Sequence, residues 1–325
     1  MSNSLFDRKD LNVKPIAERI HDLDISCILE LDSERKIAND SKWRKIAEQV
    51  VRAKEKKSAI IMMLGGHVIR SGVQNYLIDL MERGYISCLA MNGAGLIHDF
   101  EFSLIGATTE SVARYIKEGQ FGFWQETGMI NDIVNTAFKS DRDSGMGAAV
   151  GRAIAAGNFP YKKNSLLAAA VRCNVPLTVH IGIGYDIIHE HPNFDGAASG
   201  ALSYNDFLAF AAVVKKLNNG VIMDFGSAVM APEVFLKSLS MARNIAHQQG
   251  KTIRDFTTVV CDLYDLPDDL NNELNKDNVR YYFRPWKTML VRTLDGGESY
   301  YIRGKHKETI PDLWCAINEV EKALN

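Results

Sequence analysis

The sequence predicts an α/β fold with a mostly parallel central sheet, and three observations carry that prediction. Short, continuous apolar runs recur at residues 58–64, 86–91, 176–181, 220–225 and 256–261. Apolar residues at every position, rather than at alternate ones, suit strands buried on both faces. Each run stops at glycine, asparagine or aspartate, the residues that turn a chain sharply or open a helix. Between most of the runs the apolar period lengthens to that of a helix. Strands alternating with helical segments place the helices on the faces of a parallel sheet. The expected architecture is a single Rossmann-like domain, its sheet flanked by helices.

Taken in order, residues 1–40 are polar and charged, and read as an N-terminal helical extension preceding one domain over 41–325. Trp43, Ile46, Ala47, Val50 and Val51 set one apolar stripe on a helix over 41–57. Helices are expected over about 72–83, 205–217 and 232–248, and 287–292 reads as a further strand. Gly145, Gly147 and Gly151 imitate a dinucleotide fingerprint, but the polar stretch 138–144 before them is no strand. They read instead as the start of a small-residue packed helix. No linker rich in Pro, Gly or Ser divides the chain.

Composition narrows the function classes. With 46% hydrophobic and 24% charged residues and a net charge of −2, nothing suggests a nucleic-acid groove or an anionic membrane surface. No run reaches 18 apolar residues, and a cytoplasmic location is expected. Cys27, Cys88, Cys173, Cys261 and Cys315 are scattered without a CxxC pair and read as reduced thiols. His180, His189 and His191 could be taken for metal ligands, but positions 189 and 191 would not share a helix face, and no metal is expected.

In open parallel sheets ligands bind beyond the carboxyl ends of the strands. That places Gly65, Gly66 and His67, then Asn92, Gly93 and Gly95, then Gly182–Asp186, Gly226 and Ser227, and Asp262 around one crevice. Any one of these glycines is explained by a tight turn; the set together points to a nucleotide. His98, Asp99 and Glu101 put a titratable imidazole among carboxylates at a strand end, an acid–base candidate. Asp186 is equally readable as a helix N-cap, and Asp262 and Asp265, with Asp268 and Asp269, as a solvated acidic loop. Phe121–Glu126 groups aromatic and acidic residues that suit an amine or a helix packed on the sheet.

From about residue 58 onward these segments resemble the deoxyhypusine synthase family. Leu64-Gly65-Gly66-His67-Val68-Ile69-Arg70-Ser71-Gly72 is similar to its LGYTSNLISSG segment, and Asn92–Asp99 stands where the family has TAGGVEED. The stretch 174–186 follows its IPVFSP strand and GSLGD turn, and Arg284-Pro285-Trp286-Lys287 resembles its Trp-Gly-Lys segment. The resemblance implies NAD as cofactor and a spermidine-like polyamine as donor. An aminobutyl group would pass through a lysine imine to an amine acceptor, here expected to be a small molecule. It implies Lys287 and Asp186 as catalytic residues, with Trp286 and Asp99 against the substrate; the residue types themselves add His98 as a catalytic acid–base group and Glu101 and His189 against the substrate. Gly65, Gly66, His67, Ser71, Asn92, Gly93, Gly95, Gly182, Gly226, Ser227 and Asp262 would meet the cofactor. Self-association as a tetramer or dimer is also implied. The chain departs from the family at its paired glutamates, which fall at Ile97 and His98, and at its Lys-His-His run, which falls at 230–233. Two alternatives stay open on that account: an inert NAD- or metabolite-binding protein, and a hydrolase built on His98, Asp99 and the histidine-rich stretch 180–191.

Overall fold

Six strands form the central sheet of the computed structural model, which describes residues 4–37, 40–266 and 273–324. In chain order the strands are β1 (Leu23–Asp24), β2 (Ile60–Leu64), β3 (Cys88–Asn92) and β4 (Ala107–Thr108), followed by β5 (Leu177–His180), β6 (Val221–Phe225), β7 (Thr257–Asp262) and β8 (Ser299–Arg303). The helices are α1 (Asp40–Glu55), α2 (Gly66–Arg70), α3 (Gln74–Glu82), α4 (Gly93–Ile105), α5 (Val112–Glu118) and α6 (Gln125–Ser140). They continue with α7 (Met146–Ala156), α8 (Leu166–Cys173), α9 (Gly196–Val214), α10 (Met230–Gln248) and α11 (His306–Leu324). β1 and β4 form a separate antiparallel pair.

The main sheet runs β5-β3-β2-β6-β7-β8, every pair parallel. Its first-formed strand in sequence, β2, lies in the middle; the chain winds outward through β3 to β5, then returns to place β6 on the other side of β2. This is the doubly wound order, and the direction of winding reverses between β2 and β6.

Alternating side chains give each face of the sheet its own core. Ile60, Met62 and Leu64 pack with α1, α3, α4, α7, α8 and α11, while Ile61 and Met63 pack with α9, α10 and the segment around Trp286. Complete burial of each such side chain contributes roughly 1.5–3 kcal/mol, which is why all five residues of β2 are apolar. The carboxylate of Asp206, from α9, covers the outer edge of β5 by accepting Val179 N–H (2.8 Å) and also Gly147 N–H (2.9 Å). Gly147 cannot carry a side chain, because a Cβ would overlap the Leu177 carbonyl oxygen. The glycine-rich stretch is thus a packed helix, as its sequence context predicts. Among the described helices α9 alone is long and apolar enough to cross a membrane (mean hydropathy 1.2), and it packs against β5, α6 and α10.

Two expectations are corrected. Residues 287–292 are no strand but part of a π-helical segment, Pro285–Arg292, where Pro285 opens the helix and Trp286, Met289 and Leu290 turn to the core. Their spacing of three and four is helical. The sixth strand is instead β8, a half-exposed edge strand whose Ser-Tyr-Tyr-Ile-Arg sequence lacks a continuous apolar run. Residues 4–37 hold no α-helix, only 3₁₀ turns at Ile16–Glu18 and Ile25–Cys27 beside β1. Tertiary contacts fix this segment: Ile16 N–H donates to Glu126 (2.7 Å), and Arg19 is drawn into the interior.

Candidate functional site

At the reversal point the turns after β2 and β6 touch. Gly65 N–H donates to Phe225 O (3.0 Å), and a Cβ on Gly65 would overlap the Gly226 carbonyl. Gly226 has φ +65°, and a side chain there would strike His306 Nε2, from the start of α11. Beneath, the buried Asp224 carboxyl accepts Ser227 N–H (3.0 Å) on one oxygen and has no partner on the other. Burial raises its pKa well above the ordinary value. His306 Nδ1 is likewise buried without a partner.

Beside this point, over the carboxyl ends of β2, β3 and β5, lies a cavity of about 250 Å³. Ile97, Val112, Phe121 and Ile187 form apolar parts of its wall, and Arg19, Arg70, His98, Glu101, Glu110 and Asp186 are its titratable and basic side chains. Arg19 grips Glu101 with two hydrogen bonds of 2.9 and 2.8 Å, both groups buried. Thr127 and Thr108 hydroxyls donate to the same carboxylate at 2.6 and 2.7 Å. Burial alone would push the Glu101 carboxyl up, but the Arg19 guanidinium and the threonines outweigh it and hold the group below its usual range. Thr108 also meets His98 Nδ1 at 2.9 Å. Burial lowers the His98 pKa to about 4, so the imidazole is neutral. The next residue, Thr109, has φ +65° and a buried hydroxyl without a partner. A β-branched residue rarely adopts that conformation, and such strain concentrates at functional sites.

Asp186 N-caps the 3₁₀ turn Ile187–Glu190 and rests on Gly93 at the start of α4, where a Cβ would strike its carboxylate. Its Oδ2 has no hydrogen-bond partner, and burial raises the pKa to about 7. His189 stands behind, its Nδ1 accepting N–H groups of Gly184 and Asp186 (both 3.2 Å) and its Nε2 3.8 Å from Asp186 Oδ2. Glu190, near Glu110, is also raised to about 7, by burial first and by that neighbouring carboxylate second. Carboxylates therefore gather at this end. Arg70 lines the cavity with a buried, unpartnered Nε and lies 3.4 Å from His67.

The structure thus brings His98, Glu101 and Asp186 to one cavity, with His189 behind Asp186. It gathers Gly65, Gly66, His67, Gly226 and Ser227 at the reversal point, with Asp262 at the end of the next strand. It does not bring the other expected residues there. Asp99 caps α8, accepting from Ser165 Oγ (2.6 Å), Leu166 N (2.7 Å) and Leu167 N (3.2 Å), so it has no freedom to hold a substrate. Asn92 caps α4 through Gly95 N–H (3.0 Å), Gly95 packs on Met91, and Ser71 donates to His67 O (2.8 Å) at the end of α2. Gly182 makes room for the Tyr185 ring. Trp286 is fully buried in the core on the opposite face, and Lys287 stands 4.1 Å from the Tyr281 ring on a segment packed against β7 and α10. His180 meets Thr178 (3.0 Å), His191 meets Gly122 O (2.8 Å), and among the described residues no group of His, Cys, Asp and Glu is arranged to hold a metal ion. Asp265 pairs with Arg303 (2.9 Å), while Asp268 and Asp269 lie outside the described residues. Arg19, Thr108, Thr109 and Glu110 carry no sequence signal for the site, since none follows one of the apolar runs, and only tertiary contact joins them to it; Arg70 does follow the glycine turn after β2, but nothing in its spacing marks it as a cavity residue.

Residues 44–181 match a family model described as the arginine dihydrolase ArgZ-like, C-terminal, Rossmann fold. No curated protein matches the chain. Among solved structures, ArgZ, an arginine dihydrolase from the ornithine-ammonia cycle in cyanobacteria, aligns with a TM-score of 0.53 at 15% identity, over 89% of this chain and 34% of that one. The ternary complex of AgrE with ornithine and NAD⁺ aligns at 0.50 and 13% identity, over 91% and 35%. A conserved protein provisionally assigned as LOR/SDH, from Methanococcus maripaludis S2, aligns at 0.51 and 14%, over 90% and 74%. The chain spans about a third of the length of ArgZ and AgrE. A protein provisionally assigned as a deoxyhypusine synthase, from Entamoeba histolytica, aligns at a TM-score of 0.37 and 9% identity, over 83% of this chain and 81% of that one. What the chain shares with the first three is a Rossmann-type α/β fold, and over residues 44–181 it is similar to the ArgZ-like C-terminal domain.

Proposed function

We propose that this protein is an NAD-dependent enzyme that oxidises a small, ammonium-bearing substrate at the carbon carrying the nitrogen. The observation that carries the reading is the placing of neutral His98 and of Asp186, with its unpartnered oxygen, in one cavity beside the reversal point of the sheet. The residues at that point fit a dinucleotide. Glycines 65, 66 and 226 let the turns after β2 and β6, the start of α4 and His306 close on one point, the buried Asp224 Oδ2 and His306 Nδ1 lack partners, and Asp262 ends the neighbouring strand, where an acidic side chain can take ribose hydroxyls. AgrE, whose ternary complex holds ornithine and NAD⁺, shares the fold and lends the reading support.

In this reading the Asp186 carboxylate holds an ammonium group, with Glu110 adding negative potential on the same wall. His98 takes the proton that leaves the nitrogen, and Phe121, Val112 and Ile97 exclude water from the carbon being oxidised. NAD, when bound, supplies a hydride acceptor. Loss of one proton and one hydride turns the carbon–nitrogen single bond into an iminium. Onward transfer of an aminobutyl group, as the deoxyhypusine synthase resemblance implies, would require a lysine at the cavity. Among the described residues no lysine lines it, and Lys287 belongs to a segment on the opposite face of the sheet.

The test measures NAD binding by calorimetry and NADH formation with a panel of ornithine, lysine, putrescine and spermidine. At least one amine should yield NADH, and His98→Gln should cut turnover by roughly 10²-fold or more while NAD still binds. Lys287→Ala should leave turnover unchanged. NAD binding without turnover of any amine would favour an inert binding protein, and loss of turnover in Lys287→Ala would return the transfer reaction to first place.

A further inference from the structure

The hydrogen bonds around His98 have only one consistent set of proton positions. Glu101 is ionised and accepts throughout: from Arg19 Nη1 and Thr127 Oγ1 on Oε1, and from Arg19 Nη2 and Thr108 Oγ1 on Oε2. A threonine hydroxyl has a single proton. Thr108 spends it on Glu101 at 2.7 Å, so toward His98 Nδ1, 2.9 Å away, the same oxygen can only accept. The imidazole must therefore carry its proton on Nδ1. Nε2 is left with its lone pair and has no hydrogen-bond partner among the described residues, on a ring that lines the cavity.

We infer that Thr108 is a positioning residue that fixes the tautomer of His98, and that Arg19 and Glu101 set the direction of the relay. The inference rests on the proposed role of His98 as base, but its structural half can be tested without any substrate. The charged and titratable groups around the ring are Glu101, which favours a second proton, and Arg19, Arg70 and His67, which oppose it. With burial added the balance favours the neutral ring, so the choice between its two tautomers is what decides whether a lone pair faces the cavity. Thr108 is itself held in place: β4 pairs with β1 through Leu23 and Thr108, and Arg19 lies four residues before Leu23. The segment preceding the main sheet thus completes the site from outside the sheet.

Nitrogen–proton correlation NMR of the histidine rings in the full chain reads the tautomer directly. His98 should show the Nδ1–H form in the wild type, a mixture of forms in Thr108→Val, and the Nδ1–H form again in Thr108→Ser, which keeps the hydroxyl. With an amine that the wild type oxidises, kcat of Thr108→Val should fall between about 10-fold and the 10⁴-fold that a wrong tautomer costs in a serine-protease triad, with little change in KM. An Nε2–H tautomer in the wild type overturns the inference, as does a Thr108→Val ring unchanged from wild type. The wild-type spectrum decides by itself if Thr108→Val does not fold. The expected tautomers in a protein that oxidises no amine would uphold the relay and sink the functional reading.

Discussion

Asp186 and His98 share a cavity, but burial moves their pKa values in opposite directions. The carboxyl is raised to about 7 and the imidazole lowered to about 4, because burial penalises the charged form of each. The sign of the pH response follows. Asp186 gains its charge as pH rises through about 7, so kcat/KM for an ammonium substrate should climb across that point. His98 already has a free lone pair at any pH well above 4 and adds no inflection there. Asp186→Asn should abolish the rise near neutrality and raise KM more than it lowers kcat. A profile that keeps its neutral inflection in Asp186→Asn would assign the titration to another group, with Glu190, also near 7, first in line. His98 and Asp186 were legible because each lies within a few residues of a turn that ends an apolar run. Arg19 was not, since its partner Glu101 is 82 residues away and no local spacing announces the pair. Asp99 misled because a carboxylate that caps a distant helix looks, in sequence, like one that faces a ligand.

The five apolar runs all became strands because a strand covered on both faces has no polar side to interrupt the run. The same logic hid β8, which lies at the sheet edge with one side unpaired, and it made the apolar stretch after Pro285 look extended. β5, at the opposite edge, has its own safeguard in Asp206. Removing that carboxylate leaves the N–H groups of Val179 and Gly147 without a partner, and an unsatisfied buried group costs about 1–3 kcal/mol. Asp206→Ala should therefore lower the free energy of unfolding by that order, read as a lower urea midpoint at unchanged slope, while His98 keeps its tautomer. Gly147→Ala, which forces a methyl group against the Leu177 carbonyl, should destabilise to a similar degree, with overpacking costing about 1–3 kcal/mol. A wild-type midpoint in both would mean that the edge of β5 is held by something else.

At the scale of the molecule, several loops on the crevice side of the sheet expose apolar side chains. Ile183 and Tyr185 follow β5, Val229 follows β6 and Leu263 follows β7, each at least 60% exposed. Self-association, implied by the family resemblance, would cover such a rim. Light scattering on the purified chain should give a mass above that of one protomer, and Val229→Asp with Leu263→Asp should return it to the monomer. A monomeric wild type would dismiss the idea. The sheet order has a further consequence, for the timing of assembly. β2 and β6 lie side by side, yet nearly half the chain separates residues 60–64 from residues 221–225. Strands β2, β3 and β5 can pair through nearer neighbours, whereas the seam between β2 and β6 closes only when two distant stretches meet, and such non-local closure slows folding. The turns at Gly65 and Gly226 sit on that seam, so the crevice does not exist until the halves have joined. A dinucleotide seated there would bind only the joined form and, by mass action, act as a clasp between the two halves of the sheet.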